Sequence, residues 1–110
     1  MEIDFRTEGA TLVAIVRGRM DTVNTPAFEK AVTGAIEPET TVLAFDLSGL
    51  NYICSAGLRV FLSTGKTLKS RGGQLLLAES GGPVRKVFQI SGFFTLFKHF
   101  DTLDAALAQA

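Results

Sequence analysis

The residue of this chain with the clearest chemical potential is Ser55, which lies within residues 52–62. Residues 41–47 form an apolar run that predicts a buried strand, and after a short connection a helix is predicted to start at Ser55. The first turn of a helix has unpaired backbone N–H groups and the positive end of the helix dipole, so an anion is stabilised there. A hydroxyl at this position is therefore a physically sensible acceptor for a phosphate. Serine is also a preferred helix N-cap, worth about 0.5–2 kcal/mol without any chemistry, and position alone favours that plainer role.

Covalent catalysis is the weaker hypothesis for this segment. Cys54 precedes the predicted helix, where thiolates are stabilised, but a lone cysteine beside apolar neighbours is typical of a small, inert, buried hydrophobe. His99 is the only histidine, and it lies between phenylalanines in a predicted strand, which indicates an edge-strand or surface residue. A nucleophile needs a base within hydrogen-bond reach, and the sequence places none beside Ser55 or Cys54. Neither glycine-rich phosphate-loop pattern is present. We therefore predict that the protein is not an enzyme and uses no cofactor and no metal.

Strands and helices alternate along the chain around Ser55. The predicted strands are 2–7, 11–17, 41–47, 75–78 and 96–100. The predicted helices run from Thr25 to about Glu37, from Ser55 to about Arg71, from Gly82 to near Gly92, and from a start at 102–104. Thr25 or Asn24 is the expected cap of the first helix. The alternation requires right-handed crossovers and parallel strands, after an initial hairpin. The predicted fold is an α/β fold with a small mixed, mostly parallel β-sheet, an N-terminal hairpin and about four helices packed largely on one face.

Some finer expectations concern individual side chains. Asp46 is predicted to bind backbone amides in the connection after its strand, and Ser48 to cap a turn at 49–51. Ile90 is expected to face inward together with its apolar helix neighbours. Phe93 and Phe94 are adjacent on a predicted loop and are candidates for an exposed apolar patch.

Composition limits the classes of function. With 110 residues the chain is predicted to form one domain, 1–110, with one modest core. Eleven basic and eleven acidic side chains cancel, which argues against direct binding of nucleic acid or of an anionic membrane. No apolar run is long enough to span a bilayer and no leader opens the chain, so no membrane insertion is expected. One cysteine allows no internal disulfide, and a cytoplasmic location is predicted.

Five segments, in order, carry a resemblance to a known family: Gly18–Asp21 with Thr25, Asp46–Ser48 with Ser55–Leu58, Arg71–Leu75, Val84–Phe93, and Phe97–Asp101 with Asp104–Leu107. Together they resemble STAS domains, in particular bacterial anti-sigma factor antagonists. The resemblance covers essentially all of the chain and implies the STAS fold. It also implies a mechanism, in which Ser55 is the phosphate acceptor for a serine kinase that is itself the anti-sigma factor. The unmodified protein would bind this kinase, phosphorylation would release it, and a protein serine phosphatase would reset the switch.

The resemblance also implies a partner-binding surface made of the loop before the first helix and the start of the second: Asp21, Thr22, Asn24, Cys54, Ser55, Ala56, Gly57 and Arg59. Asp21 matches the family's acidic residue near the acceptor serine, although a turn or capping role is equally economical. The small side chains of Ala56 and Gly57 would let a partner approach. Arg59 is either an interface contact or a solvated helix residue. Cys54 stands where many antagonists have aspartate. The resemblance therefore does not decide which kinase subgroup recognises Ser55 or whether Ser55 is phosphorylated.

Two further hypotheses stand beside the phosphorylation-switched antagonist. The chain would alternatively be a constitutive STAS subunit of a transporter-associated or stress-sensing complex, in which Ser55 is not phosphorylated and Phe93 and Phe94 supply the contact. The third hypothesis is a small enzyme that uses Cys54 or Ser55. Rapid labelling of Cys54 by a thiol reagent would support this hypothesis.

Overall fold

One five-stranded sheet organises the chain, and its strand order follows the sequence order. The structure is a computed structural model that describes residues 1–110. Its elements are β1 (Glu2–Glu8), β2 (Thr11–Met20), α1 (Thr25–Ala35), β3 (Val42–Ile53), α2 (Ser55–Ser70), β4 (Gln74–Ala78), α3 (Gly82–Ile90), α4 (Phe93–Leu96), β5 (Lys98–Phe100) and α5 (Leu103–Gln109). Strands β1 and β2 form the predicted antiparallel hairpin, and all later neighbours pair in parallel. The predicted mixed α/β fold is confirmed, with one helical turn, α4, more than the expected four helices.

The two faces of the sheet are covered unequally. Helices α1 to α4 pack on one face over a cluster of 20 buried residues. Four phenylalanines form its centre, with neighbouring ring centroids 4.6–6.1 Å apart: Phe28, Phe45, Phe61 and Phe88. Contacts between tilted or edge-to-face rings add to the free energy gained from burying their area. Only α5 lies on the opposite face, over a smaller cluster of six buried residues. The helices therefore pack largely on one face, as predicted.

Strand β3 is longer than the sequence suggests. It runs from Val42 to Ile53, because its second half continues to pair with β2 after the pairing with β4 has ended at Ala78. Ser48 is therefore within the strand and does not cap a turn, which corrects the prediction for this residue. Its hydroxyl and its N–H donate to Asp46 Oδ1 at 2.8 and 3.0 Å, so Asp46 accepts a backbone amide as predicted.

The segment around α4 differs from the prediction. Phe93 is buried and Phe94 is half-buried, and they begin a helical turn instead of standing on an open loop. Gly92, at φ +75°, supplies the left-handed backbone that ends α3 and folds Phe93 against Phe88, 5.5 Å between ring centroids. Ile90, at the end of α3, points outward and is 77% exposed, so its predicted inward position is wrong. The expected Phe93–Phe94 surface patch is likewise wrong.

Candidate functional site

Two strand-to-helix connections lie side by side at one edge of the sheet. Because β2 and β3 are neighbouring parallel strands, their carboxyl ends meet at the same edge. The Cys54 N–H donates to the Met20 carbonyl oxygen at 2.9 Å and extends the pairing one residue beyond β3. The loop of residues 21–24 and the first turn of α2 are therefore adjacent. This is the grouping that the sequence predicted for the partner surface.

Asp21 organises the loop before α1. Its Oδ1 accepts the N–H groups of Val23 and Asn24 at 3.1 and 2.9 Å, an aspartate-based turn. The Thr25 hydroxyl donates to the Asp21 carbonyl oxygen at 2.6 Å and fixes the entry into the helix. Asn24 occupies the N-cap position of α1, but its side chain makes no cap hydrogen bond and donates instead to the Arg19 carbonyl oxygen at 2.9 Å. The structure thus gives Asp21 the turn role that the sequence left open.

Ser55 is the first residue of α2, and Cys54, not Ser55, occupies the N-cap position. Cys54 has an extended backbone (φ −93°, ψ 172°), and its carbonyl oxygen accepts the N–H of Leu58 at 3.1 Å. The interpretation of Ser55 as a helix cap is therefore wrong. Its side chain is exposed at the positive end of a 16-residue helix.

Cys54 is half-buried and sits between the two connections. Its sulfur lies 3.5 Å from the Thr25 hydroxyl oxygen. Burial raises the pKa of the Cys54 thiol, whereas the Thr25 hydroxyl and the backbone N–H groups of Gly57 and Ala56 lower it, and the net pKa is below its ordinary value. Cys54 is thus more exposed than the predicted buried hydrophobe. Its sulfur links the two connections to each other.

Gly57 faces inward, which corrects its assignment to the partner-facing surface. A Cβ atom there would come within 2.5 Å of Met20 Sδ and 3.1 Å of Ile53 Cγ1. The absence of a side chain lets the start of α2 approach the ends of β2 and β3. Ala56, the preceding residue, is half-buried, while Arg59 and Thr22 are exposed.

Sequence reasoning missed two features of this edge. The Thr25 hydroxyl, taken only as a helix cap, connects the loop to Cys54. Arg19 and Tyr52 lie opposite each other on β2 and β3, and the Arg19 guanidinium carbon is 4.2 Å from the centroid of the Tyr52 ring. Register shifts interrupt this strand pair twice, so counting residues could not have paired Arg19 with Tyr52.

His99 takes part in a different contact. It lies on the edge strand β5, as predicted, where its Nε2 is 2.7 Å from the hydroxyl of buried Ser80 and its ring packs on Phe94. Burial and the nearby Arg85 lower the pKa of His99, and Asp101 opposes them. No group of three or more histidine, cysteine or acidic side chains is arranged to hold a metal ion. None of the helices combines the length and the apolar character needed to cross a membrane.

The sequence of this chain is similar to those of known proteins. The STAS domain family matches residues 2–106. BtrV of Bordetella bronchiseptica, described as a candidate anti-sigma factor antagonist, is 36% identical over 97 residues, which cover 88% of this chain and 84% of BtrV.

Solved structures agree on the fold. An anti-sigma factor antagonist from Mycobacterium paratuberculosis is 27% identical, with a TM-score of 0.88 and coverage of 98% of this chain and 92% of that one. The antagonist SpoIIAA, in its unphosphorylated form, is 22% identical, with a TM-score of 0.83 and coverage of 98% and 95%. The phosphorylated form of SpoIIAA, from Bacillus, has a TM-score of 0.76 and 21% identity, with coverage of 98% of both chains. This chain belongs to the STAS domain family, among relatives of the anti-sigma factor antagonist type.

Proposed function

We propose that this protein is an anti-sigma factor antagonist that works as a phosphorylation-switched binding module. It binds an anti-sigma factor that is also a serine kinase when Ser55 is unmodified, and it releases this partner when Ser55 carries a phosphate. The observation that carries the proposal is the exposed, non-capping Ser55 side chain at the first residue of α2. The described functions of the antagonist relatives supply the class of partner.

The position of Ser55 suits a switch that acts on an interface. A phosphoserine adds about −1.5 to −2 charge at pH 7, and the N-terminus of α2 stabilises this charge locally. Because Ser55 is exposed and caps nothing, the phosphate displaces no core side chain and removes no helix cap. A partner packed against the neutral hydroxyl would instead meet a bulky dianion. Phosphorylation therefore weakens the complex and leaves the fold intact.

The proposed contact surface follows the two connections. Its exposed members are Thr22, Ser55 and Arg59, with Asn24 and Ala56 half-buried between them. Asp21, Cys54 and Gly57 shape this surface from within, through the turn, the sulfur contact and the close approach of α2. Because Cys54 stands directly before Ser55, the acceptor has no carboxylate at the preceding position, and the kinase would recognise the site without one.

The remaining parts of the proposal follow from this role. A protein serine phosphatase would remove the phosphate, and the switch would operate in the cytoplasm without direct contact to nucleic acid. The protein itself performs no catalysis. His99, the only histidine, contacts Ser80 and Phe94 and makes no hydrogen bond with Ser55 or Cys54, the reach that a base for either would need.

The test compares what variants retain from host lysate. We would immobilise the wild type, Ser55→Ala and Ser55→Asp, with Ser63→Asp as the matched control. Ser63 is an exposed serine of the same helix, about 12 Å further along its axis. We expect the wild type, Ser55→Ala and Ser63→Asp to retain a serine kinase, and Ser55→Asp to retain it roughly tenfold less. If all four proteins retain the same partners equally, Ser55 is not the switch and a constitutive assembly subunit is the better description.

A further inference from the structure

We propose that Arg59 binds the phosphoryl group on Ser55 within the same chain, so that phosphorylation also removes a free guanidinium from the partner surface. This deepens the proposed function and rests on it for its biological meaning. The pairing of Arg59 with a phosphate at Ser55 can be tested by itself. Phosphorylation would then change the partner surface in two ways. It adds a dianion at Ser55, and it pairs the Arg59 guanidinium, which is free in the unmodified protein.

The geometry of α2 brings the two side chains together. Ser55 and Arg59 are four residues apart on the same helix, and both are exposed. Residues at this spacing are neighbours on the helix surface, about one turn apart. Long side chains on a helix lean toward its N-terminus, so Arg59 extends over the turn that begins with Ser55. A planar guanidinium can donate two hydrogen bonds to one phosphate at that distance.

Arg59 is also the arginine near this edge that has no competing partner. The ion pairs of the structure use Arg6, Arg17 and Arg85, so Arg59 has no carboxylate partner. Arg19 lies over the Tyr52 ring. No existing ion pair has to break before Arg59 can bind a phosphate.

The loop beside the start of α2 carries an acidic side chain, whose charge Arg59 can offset. Asp21 is the acidic side chain of the adjoining loop, and the N–H groups of Val23 and Asn24 hold one of its oxygens in place. A carboxylate on this adjoining loop disfavours a dianion at Ser55. Arg59 and the N-terminus of α2 are the positive groups that offset it.

Phosphorus NMR tests the pairing directly, without a kinase. Phosphoserine would be incorporated genetically at position 55, and the second pKa of the phosphate would be followed by its ³¹P chemical shift. A phosphoserine has this pKa near 6, and a bound cation lowers it. We expect Arg59→Gln to raise the pKa by about 0.15–0.4 pH unit and Arg59→Lys to raise it less. Lys66→Gln is the matched control, because Lys66 is exposed on α2 about 16 Å from Ser55 along the helix axis and is screened at physiological salt.

The outcomes separate the pairing from the switch. If Arg59→Gln leaves the titration unchanged, or if Lys66→Gln shifts it equally, the specific pairing is wrong. If the pKa shifts as expected but Ser55→Asp still retains the same partners as the wild type, the pairing stands and the proposed switch fails. A thermal melt monitored by circular dichroism, which we expect to be unchanged for Arg59→Gln because Arg59 is exposed, verifies that the variant is folded.

Discussion

Two serines occupy equivalent places in this fold and have opposite environments. Ser55 follows β3 by two residues and Ser80 follows β4 by two residues, and β3 and β4 are neighbouring parallel strands. Ser55 is exposed at the start of a helix. Ser80 is 5% exposed, and its hydroxyl is 2.7 Å from His99 Nε2. The same position after a strand therefore gives one accessible hydroxyl and one that serves as an internal contact.

The different exposure of the two serines follows from the residues and hydrogen bonds of the connections after β3 and β4. After β3 a single residue, Cys54, leads into α2, and Ser55 begins the helix exposed to solvent. After β4, Glu79 has φ +62° and its carboxylate accepts the Leu103 N–H at 2.8 Å, while its own N–H donates to the Phe100 carbonyl oxygen at 3.0 Å. These bonds turn Ser80 inward to His99. A serine beside a histidine is thus structural here, and the serine without a base is the exposed one.

The largest effect is expected from disturbing the backbone that presents Ser55. In Gly57→Ala the new Cβ would lie 2.5 Å from Met20 Sδ, so the start of α2 must shift or the core must repack. We expect the free energy of unfolding to fall by about 1–3 kcal/mol. The matched control is Gly34→Ala in α1, where a Cβ meets nothing within 4 Å, and stability should rise by about 0.5–1 kcal/mol. Urea unfolding measures both, and equal stabilisation by the two variants would contradict the close approach at Gly57.

A smaller loss is expected from the other serine. Ser80→Ala removes the hydrogen bond to His99 and should lower the free energy of unfolding by about 1 kcal/mol. The loss stays near this value because His99 is half-exposed and water can replace the hydroxyl. The same urea measurement applies, and a Ser80→Ala protein as stable as the wild type would show that the Ser80–His99 contact contributes nothing.

The sequence predicts the order and type of the elements because periodicity and turn residues are local signals. The hairpin, the helix entry at Thr25-Pro26 and the end of α2 before Gly72 all follow from them. Local signals do not predict the second half of β3, because Leu50 and Ile53 belong to the strand through pairing with β2 across register shifts. Pairing between distant strands has no local signature.

The sequence predicts the candidate site only in part, because its remaining features depend on contacts between residues that are distant in the chain. The resemblance grouped Ser55 with the loop of residues 21–24, and the two connections do lie side by side. Their role as a partner surface stays a prediction. The cap assignment was wrong by one residue, because the pairing of the Cys54 N–H with Met20 lets the helix begin only at Ser55. The inward direction of Gly57 depends on the Met20 and Ile53 side chains, which only the three-dimensional structure brings to it.

Between pH 7 and 5, the pH dependence of stability should originate at His99, the hydrogen-bond partner of Ser80, and not at the start of α2. The pKa of His99 is below its ordinary value of 6.5, so the unfolded chain binds a proton more readily than the folded one. The contribution of His99 to stability is therefore fully present above pH 6.5 and is lost as the pH falls through 6.5 toward the folded pKa. We expect His99→Gln to flatten the melting temperature between pH 7 and 5, since His99 is the only histidine. An unchanged slope in His99→Gln would assign the dependence to other groups.

The smallest effect on stability is expected at Ser55 itself. Because Cys54 is the N-cap and Ser55 is exposed, Ser55→Ala should change the free energy of unfolding by less than about 0.5 kcal/mol. A capping hydroxyl would instead cost about 1 kcal/mol. Urea unfolding of Ser55→Ala beside Thr102→Ala decides between these values. Thr102 accepts the Ala105 N–H at 3.1 Å as the side-chain cap of α5 and provides the internal standard for a lost cap. If the two variants lose equal stability, the Ser55 hydroxyl supports the helix after all, and the contrast with Ser80 disappears. If only Thr102→Ala loses stability, the Ser55 hydroxyl has no part in holding the fold and is available to a modifying partner.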